Sequence, residues 1–165
     1  MTKLYIKKKV FECNKISSCK SCGTCCRIRE KRILTKEEDK KLRTQIYEKI
    51  GILYMYPLSK YTISISHDEK ESLEQEAKRK GIELKIIPKK MKYIENELTI
   101  IDWSLDHDIC PFFDSAHKKC SIYELRPKVC KIFPEEYKFE YSKTQDDTTN
   151  IKFDDAIKIG KNTYT

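Results

Sequence analysis

Glycine is scarce in this chain, with four in 165 residues, and the sequence holds one tryptophan and three histidines. No glycine-rich phosphate loop is present, and no serine or cysteine nucleophile is paired with a histidine in a recognisable motif. Apolar runs are short. None approaches the roughly twenty residues a membrane span needs. The first ten residues, Met-Thr-Lys-Leu-Tyr-Ile-Lys-Lys-Lys-Val, lack the apolar stretch and small-residue cleavage site of a secretory leader. The expectation is a cytoplasmic protein with no membrane partner. At 165 residues, 36% charged and 39% hydrophobic, it should form a single domain over 1–165.

Cysteine is what the chain has in excess. Four stand in Cys19-Lys-Ser-Cys22-Gly-Thr-Cys25-Cys26, and three more follow at Cys110, Cys120 and Cys130. Thiolates this close repel one another unless a cation holds them or oxidation joins them. In a cytoplasmic setting clustered cysteines favour metal over disulfides. A Cys-x-x-Cys turn brings two sulfurs to one side, where they can share a tetrahedral ion. Cys19, Cys22 and Cys25 extend that spacing to three, as in bacterial-type ferredoxins. Those proteins add a remote cysteine followed by proline, and Pro111 follows Cys110.

Neighbouring side chains of an extended segment point apart, so Cys25 and Cys26 are expected to serve different atoms or sites. Seven thiols exceed the four that one ion or one cubane takes. Two sites, a bridged cluster, or one site with outlying thiols all fit. Arg126 could donate to a thiolate or form a surface ion pair. Cys13 stands outside the spacing and reads as a spectator thiol. His107, three residues before Cys110, is a weaker ligand candidate, and His67 and His117 weaker still.

The remaining pattern is α+β: a small domain of short strands and helices organised around a cysteine-ligated metal centre. Leu4 to Phe11 and Arg27 to Leu34 read as extended. Thr35-Lys-Glu-Glu38 is a capping box opening a helix to about Ile50, with Leu42, Ile46 and Ile50 on one face and Gly51 ending it. Tyr61 to Ser66 alternates as a strand. A helix over Asp68 to Lys80, with Leu73 and Ala77 inward, stops at Gly81. Ile82 to Ile87 and Leu98 to Trp103 read as further strands, and the Asp68 to Lys80 helix between the first two strands could be a crossover. Asp114 to Lys119 should reverse the chain between Phe113 and Cys120. Pro127 should stop any helix begun near Tyr123. Residues 143–150 read as a loop and Ile151 to Ile159 as a terminal element. The aromatics Phe112, Phe113, Tyr123 and Phe133 are expected to form core around the metal.

Charge is uneven. Residues 1–60 hold 16 Lys and Arg against 6 Asp and Glu, while the rest hold 18 against 20. A basic half beside a metal motif admits a zinc-stabilised nucleic-acid module. However, the basic residues alternate with the cysteines, and neutralising thiolates is reason enough for them. Nucleic acid is therefore the disfavoured reading, and no protein partner is named by any motif.

The combination Cys-x-x-Cys-Gly-x-Cys-Cys, then Cys-Pro-Phe-Phe, Cys-x-Ile-Tyr and Arg-Pro-x-x-Cys, resembles the YkgJ-like cysteine-cluster family (CxxCxxCC). Ile33-Leu34-Thr35 with Glu38-Asp39, and Asp102-Trp103, add to the resemblance, which covers about residues 19–134. It implies a zinc- or iron-chelating domain with Cys19, Cys22, Cys25, Cys26, Cys110, Cys120 and Cys130 as ligands, for zinc, iron or a [4Fe-4S] cluster. It implies no settled activity. A relative of that family, the flagellin lysine N-methylase, joins such a cluster to methyl transfer, but this chain has no added length for a methyl-donor domain. An iron–sulfur-dependent protein-modifying or redox enzyme component is the alternative.

Overall fold

The computed structural model describes residues 23, 25–27, 34–133 and 150–164. Expectations for Leu4 to Phe11, for most of Arg27 to Leu34 and for all but the last residue of the loop 143–150 fall outside them, as do Cys13, Cys19 and Cys22. What is described is a mixed α/β arrangement of short helices and strands.

Helix α1 (Lys36–Ile50) begins as its sequence dictates. The Thr35 hydroxyl accepts from the Glu38 amide while the Glu38 carboxylate accepts from the Thr35 amide, and Gly51 ends the helix in the left-handed region at φ 71°. Ile46 is buried, with Leu42 and Ile50 at the margin. Tyr47 and Asp39 are buried as well, which periodicity did not show. Asp39 is buried because both its oxygens are used: one accepts from Arg43 Nε at 2.7 Å, the other from the Leu58 amide at 2.8 Å. Burial without such partners would cost several kcal/mol.

Strand β1 is only Ser64–Ile65, shorter than the alternation over Tyr61 to Ser66 suggests. The amides before it go elsewhere, Tyr61 to the Leu58 carbonyl and Thr62 to the Ser104 hydroxyl. Helix α2 (His67–Lys80) follows, capped by a second box between Ser66 and Glu69 and stopped by Gly81, with Leu73 and Ala77 buried.

The largest departure comes next. Residues 82–85 are not a strand; β2 runs Ile86–Ile94 and β3 runs Glu97–Leu105. They pair as an antiparallel hairpin across Glu95 and Asn96, both at positive φ (50° and 66°), the backbone of a tight two-residue turn. The register shifts beside Lys90, leaving Lys89 and Ile101 as extra residues on their strands. Pro88 and two buried lysines hid this strand. Lys89 donates to the Thr62 carbonyl at 3.0 Å, and Lys90 lies 3.0 Å from Asp102.

The sheet order is β1-β3-β2, so β1 and β2 both run antiparallel to β3 and α2 links the two outer strands. Leu53 bridges the free side of β2 by two backbone bonds with Met91, each 2.9 Å. A small hairpin, β4 (Phe113–Asp114) and β5 (Lys119–Cys120), then a turn at Tyr123–Leu125 and helix α3 (Lys128–Ile132), lead through the downstream cysteines. The turn begun at Tyr123 stops before Pro127, as expected from its effect on the preceding backbone, and Pro127 then stands at the N-cap of α3.

Helix α4 (Phe153–Tyr164) extends beyond the expected terminal element. It closes a first apolar cluster of Tyr47, Leu53, Met55, Met91, Tyr93, Leu98, Phe153 and Ala156. A second cluster gathers Ile65, Leu73, Ala77, Leu105, Phe112 and Ile122, with Cys110 and Cys120 packed against it.

Candidate metal centre

Cys25 and Cys26 lie in a single 3₁₀ turn, Cys25–Arg27, with the Cys26 amide donating to the Gly23 carbonyl at 3.1 Å. A 3₁₀ turn does not alternate its side chains as a strand does. Their sulfurs stand 4.0 Å apart, which corrects the expectation that they point apart. Sulfurs sharing one tetrahedral zinc at 2.3 Å are about 3.8 Å apart, so the adjacent pair can serve one ion.

The upstream turn meets the downstream half directly. The Cys110 amide donates to the Cys26 carbonyl at 2.7 Å. The Cys26 thiol is pushed up to about 12 chiefly by its hydrogen bond with Cys110, with burial and the charges of Cys110 and Cys120 adding, while its bond with Cys25 acts the other way. The Cys130 thiol is also pushed up, first by burial, then by Cys25, Cys26 and Cys120, against the opposing charge of Arg126. Cys25, Cys26, Cys110 and Cys120 are thus near enough for their charges to act on Cys26 or Cys130. All five are half-buried, and no disulfide joins any of them. The alternative of oxidised pairs is therefore not what this part of the chain adopts.

Local structure sets each thiol. Phe113 pairs with Cys120 across the β4–β5 hairpin, and the Ser121 amide returns to the Phe112 carbonyl at 2.8 Å. The Phe113 amide donates to the Cys110 carbonyl at 3.0 Å, folding Cys110-Pro-Phe-Phe into a turn. Gly23 lies against the Phe113 ring at φ 75°, where any Cβ would collide with that ring. The glycine of the Cys-x-x-Cys-Gly motif is thus required twice, by backbone angle and by space. Arg27 lies over the same ring, 5.6 Å from its centre.

Other candidates are placed elsewhere. His107 Nε2 accepts from the Lys85 amide at 2.8 Å, which removes it as a ligand through that nitrogen. His117 is engaged by Asp114 at 2.7 Å, and His67 lies near Glu71 and the Trp103 ring. Among the described residues, Arg126 neither donates to sulfur nor forms a surface ion pair. Its guanidinium covers the Tyr123 ring at 3.6 Å and donates to the Tyr123 carbonyl. Of the four aromatics, Phe112 is core, Phe113 and Phe133 are half-buried, and Tyr123 is exposed, a correction for that residue.

Among the described residues, no group of three or more Cys, His, Asp or Glu side chains is disposed to hold a metal ion. The donor chemistry nevertheless fits zinc or iron: thiols only, two of them at ligand-to-ligand spacing, with a third, Cys110, bonded through its amide to the Cys26 carbonyl. Protonated thiols attract one another by hydrogen bonds where thiolates would need a cation between them. Sequence reasoning missed Gly23 against Phe113 and the turn that aligns Cys25 with Cys26. The motif glycine signalled the first; nothing in the pattern signalled the second. Among the described residues no helix is long and apolar enough to cross a membrane.

A family model described as "CxxCxxCC: Putative zinc- or iron-chelating domain" matches residues 18–153, and the chain belongs to that family. No curated protein and no solved structure matches the chain.

Proposed function

We propose that this member of the family chelates zinc or iron through the thiolates of Cys19, Cys22, Cys25, Cys26, Cys110, Cys120 and Cys130, in one domain organised around that centre. The observation that carries the reading is the meeting of Cys26 with Cys110, joined by a backbone bond of 2.7 Å. Residues so far apart in sequence are joined through the backbone of two cysteines, and the Cys110 thiol is the first cause acting on that of Cys26. Zinc ringed by thiolates would have a structural role; an iron–sulfur cluster would supply electron transfer. The chain's own residues supply the rest. Gly23 and Phe113 seat the upstream turn, Phe112 and Ile122 exclude water, and Arg126 adds positive charge near Cys130. Basic residues among the upstream cysteines serve that charge balance in this reading, with no nucleic-acid partner, in a cytoplasmic protein.

Anaerobic purification of the full chain, followed by elemental analysis and X-ray absorption at the metal edge, tests the proposal. The expected result is at least one zinc or iron per chain with a shell of sulfur at about 2.3 Å for zinc. Zinc leaves the protein colourless and an iron–sulfur cluster turns it brown. Metal well below one per chain, or a shell of oxygen and nitrogen, overturns the reading.

A further inference from the structure

The helix that carries Cys130 cannot hold itself. Helix α3 has five residues, far below the length at which an isolated helix is even marginal. Its cap, Pro127, offers no side-chain hydrogen bond. Its first amide would be an unsatisfied donor. The Lys128 amide instead donates to Glu69 Oε1 at 2.6 Å, across 59 residues of sequence. Glu69 Oε2 accepts from the Ser66 amide at 2.8 Å. One carboxylate therefore completes the cap of α2 and fastens the start of α3. A charged acceptor at this length is among the stronger hydrogen bonds a protein makes.

Glu69 is itself well anchored. It sits in the first turn of α2, whose Leu73 and Ala77 are buried in the second cluster. Cys130 follows Lys128 by two residues, and its amide donates to the Pro127 carbonyl at 2.9 Å, in the turn that Glu69 holds. We infer that Glu69 is a positioning residue for Cys130, setting the thiol's place through the Lys128 amide. The inference rests on Cys130 being a metal ligand, as proposed above.

The comparison of Glu69→Ala with Ser66→Ala tests it. Both damage the α2 cap, but Ser66→Ala leaves the carboxylate on Lys128. The full chain as purified is exposed to EDTA for timed intervals, and the zinc or iron retained is measured together with alkylation of each cysteine. Residues that orient metal ligands typically change affinity 10- to 100-fold. Acting one step removed, Glu69→Ala should release metal about tenfold faster, with Cys130 alkylated before Cys120. Ser66→Ala should match the wild type in both. Glu69→Gln, which keeps one acceptor for two donors, should fall between, and it decides the matter if Glu69→Ala does not fold. Equal release from Ser66→Ala and Glu69→Ala overturns the inference, as does unchanged release in a Glu69 variant that only melts earlier. Cys130→Ser, run in parallel, separates the two levels. Full metal in that variant refutes Cys130 as a ligand, whereas metal lost there but unchanged in the Glu69 variants refutes Glu69 alone.

Discussion

The two apolar clusters are built on the same sheet by different means. The first closes by packing. Tyr47 meets Phe153 edge to face at 6.1 Å, and Gly160 lets α4 lie against Met55 and Leu98, while Tyr164 donates to the Leu98 carbonyl at 2.7 Å. The second is covered by α2 through Leu73 and Ala77, and Cys110 and Cys120 are among the half-buried side chains packed against it. Beyond them lie short elements, two strands of two residues and a helix of five, that cannot persist on local energy. Both clusters are held by hydrophobic burial, but the short elements at the cysteine edge of the second depend in addition on a few long-range polar contacts and whatever the thiols bind.

The largest effect should follow from breaking the second side. Cys110→Ser removes a thiol and, with it, metal whose binding is coupled to folding on the order of 10 kcal/mol for structural zinc. Hydrogen exchange should rise across residues 106–133 and stay slow in α1 and α4. Full metal content with an unchanged melting temperature would remove Cys110 from the site.

Leu53→Ala strikes the packed side. Leu53 is fully buried and bridges Met91, so the expected loss is about 2–5 kcal/mol in denaturant unfolding. Metal per folded chain should not change. A parallel loss of metal would show that the two sides do not respond separately.

The smallest effect tests the joint between them. Burial alone would raise the Asp106 carboxyl, but hydrogen bonds and charge from Lys60 (2.8 Å) and Lys85 (2.7 Å) outweigh it and hold it below the usual range. A lowered carboxyl contributes stability that is present above its unfolded value, near 3.9, and lost as pH falls through the folded one. Asp106→Asn should therefore cost about 1–2 kcal/mol at pH 7, and the gap from wild type should close below about pH 4. A gap that persists at acid pH would mean the variant acts by shape, not charge.

Local rules made much of this legible. Thr35 with Glu38, Gly51 and Gly81 fixed both long helices to within a residue, because caps are read from neighbours in sequence. The β4–β5 reversal and the break at Pro127 were legible for the same reason. Strand β2 was not, because Lys89 and Lys90 look solvent-facing until Thr62 and Asp102 are brought to them. Position in the cysteine motif suggested which thiols belong together, yet the geometry of Cys25 and Cys26 depends on a 3₁₀ turn that spacing does not encode. Glu69 was hidden further: its capping role is local, but its second oxygen serves a residue far along the chain.

The bond between Cys26 and Cys110 also sets a clock. These residues are 84 positions apart, and a ribosome adds roughly 5–20 residues per second, so the upstream thiols emerge about 4–17 s before their partner does. Throughout that interval Cys25 and Cys26 are nascent-chain thiols with no downstream half to shield them. Oxidants and stray metals have first access to them. Delivery of the right ion, or protection of the thiols, is thus a problem of translation before it is one of folding.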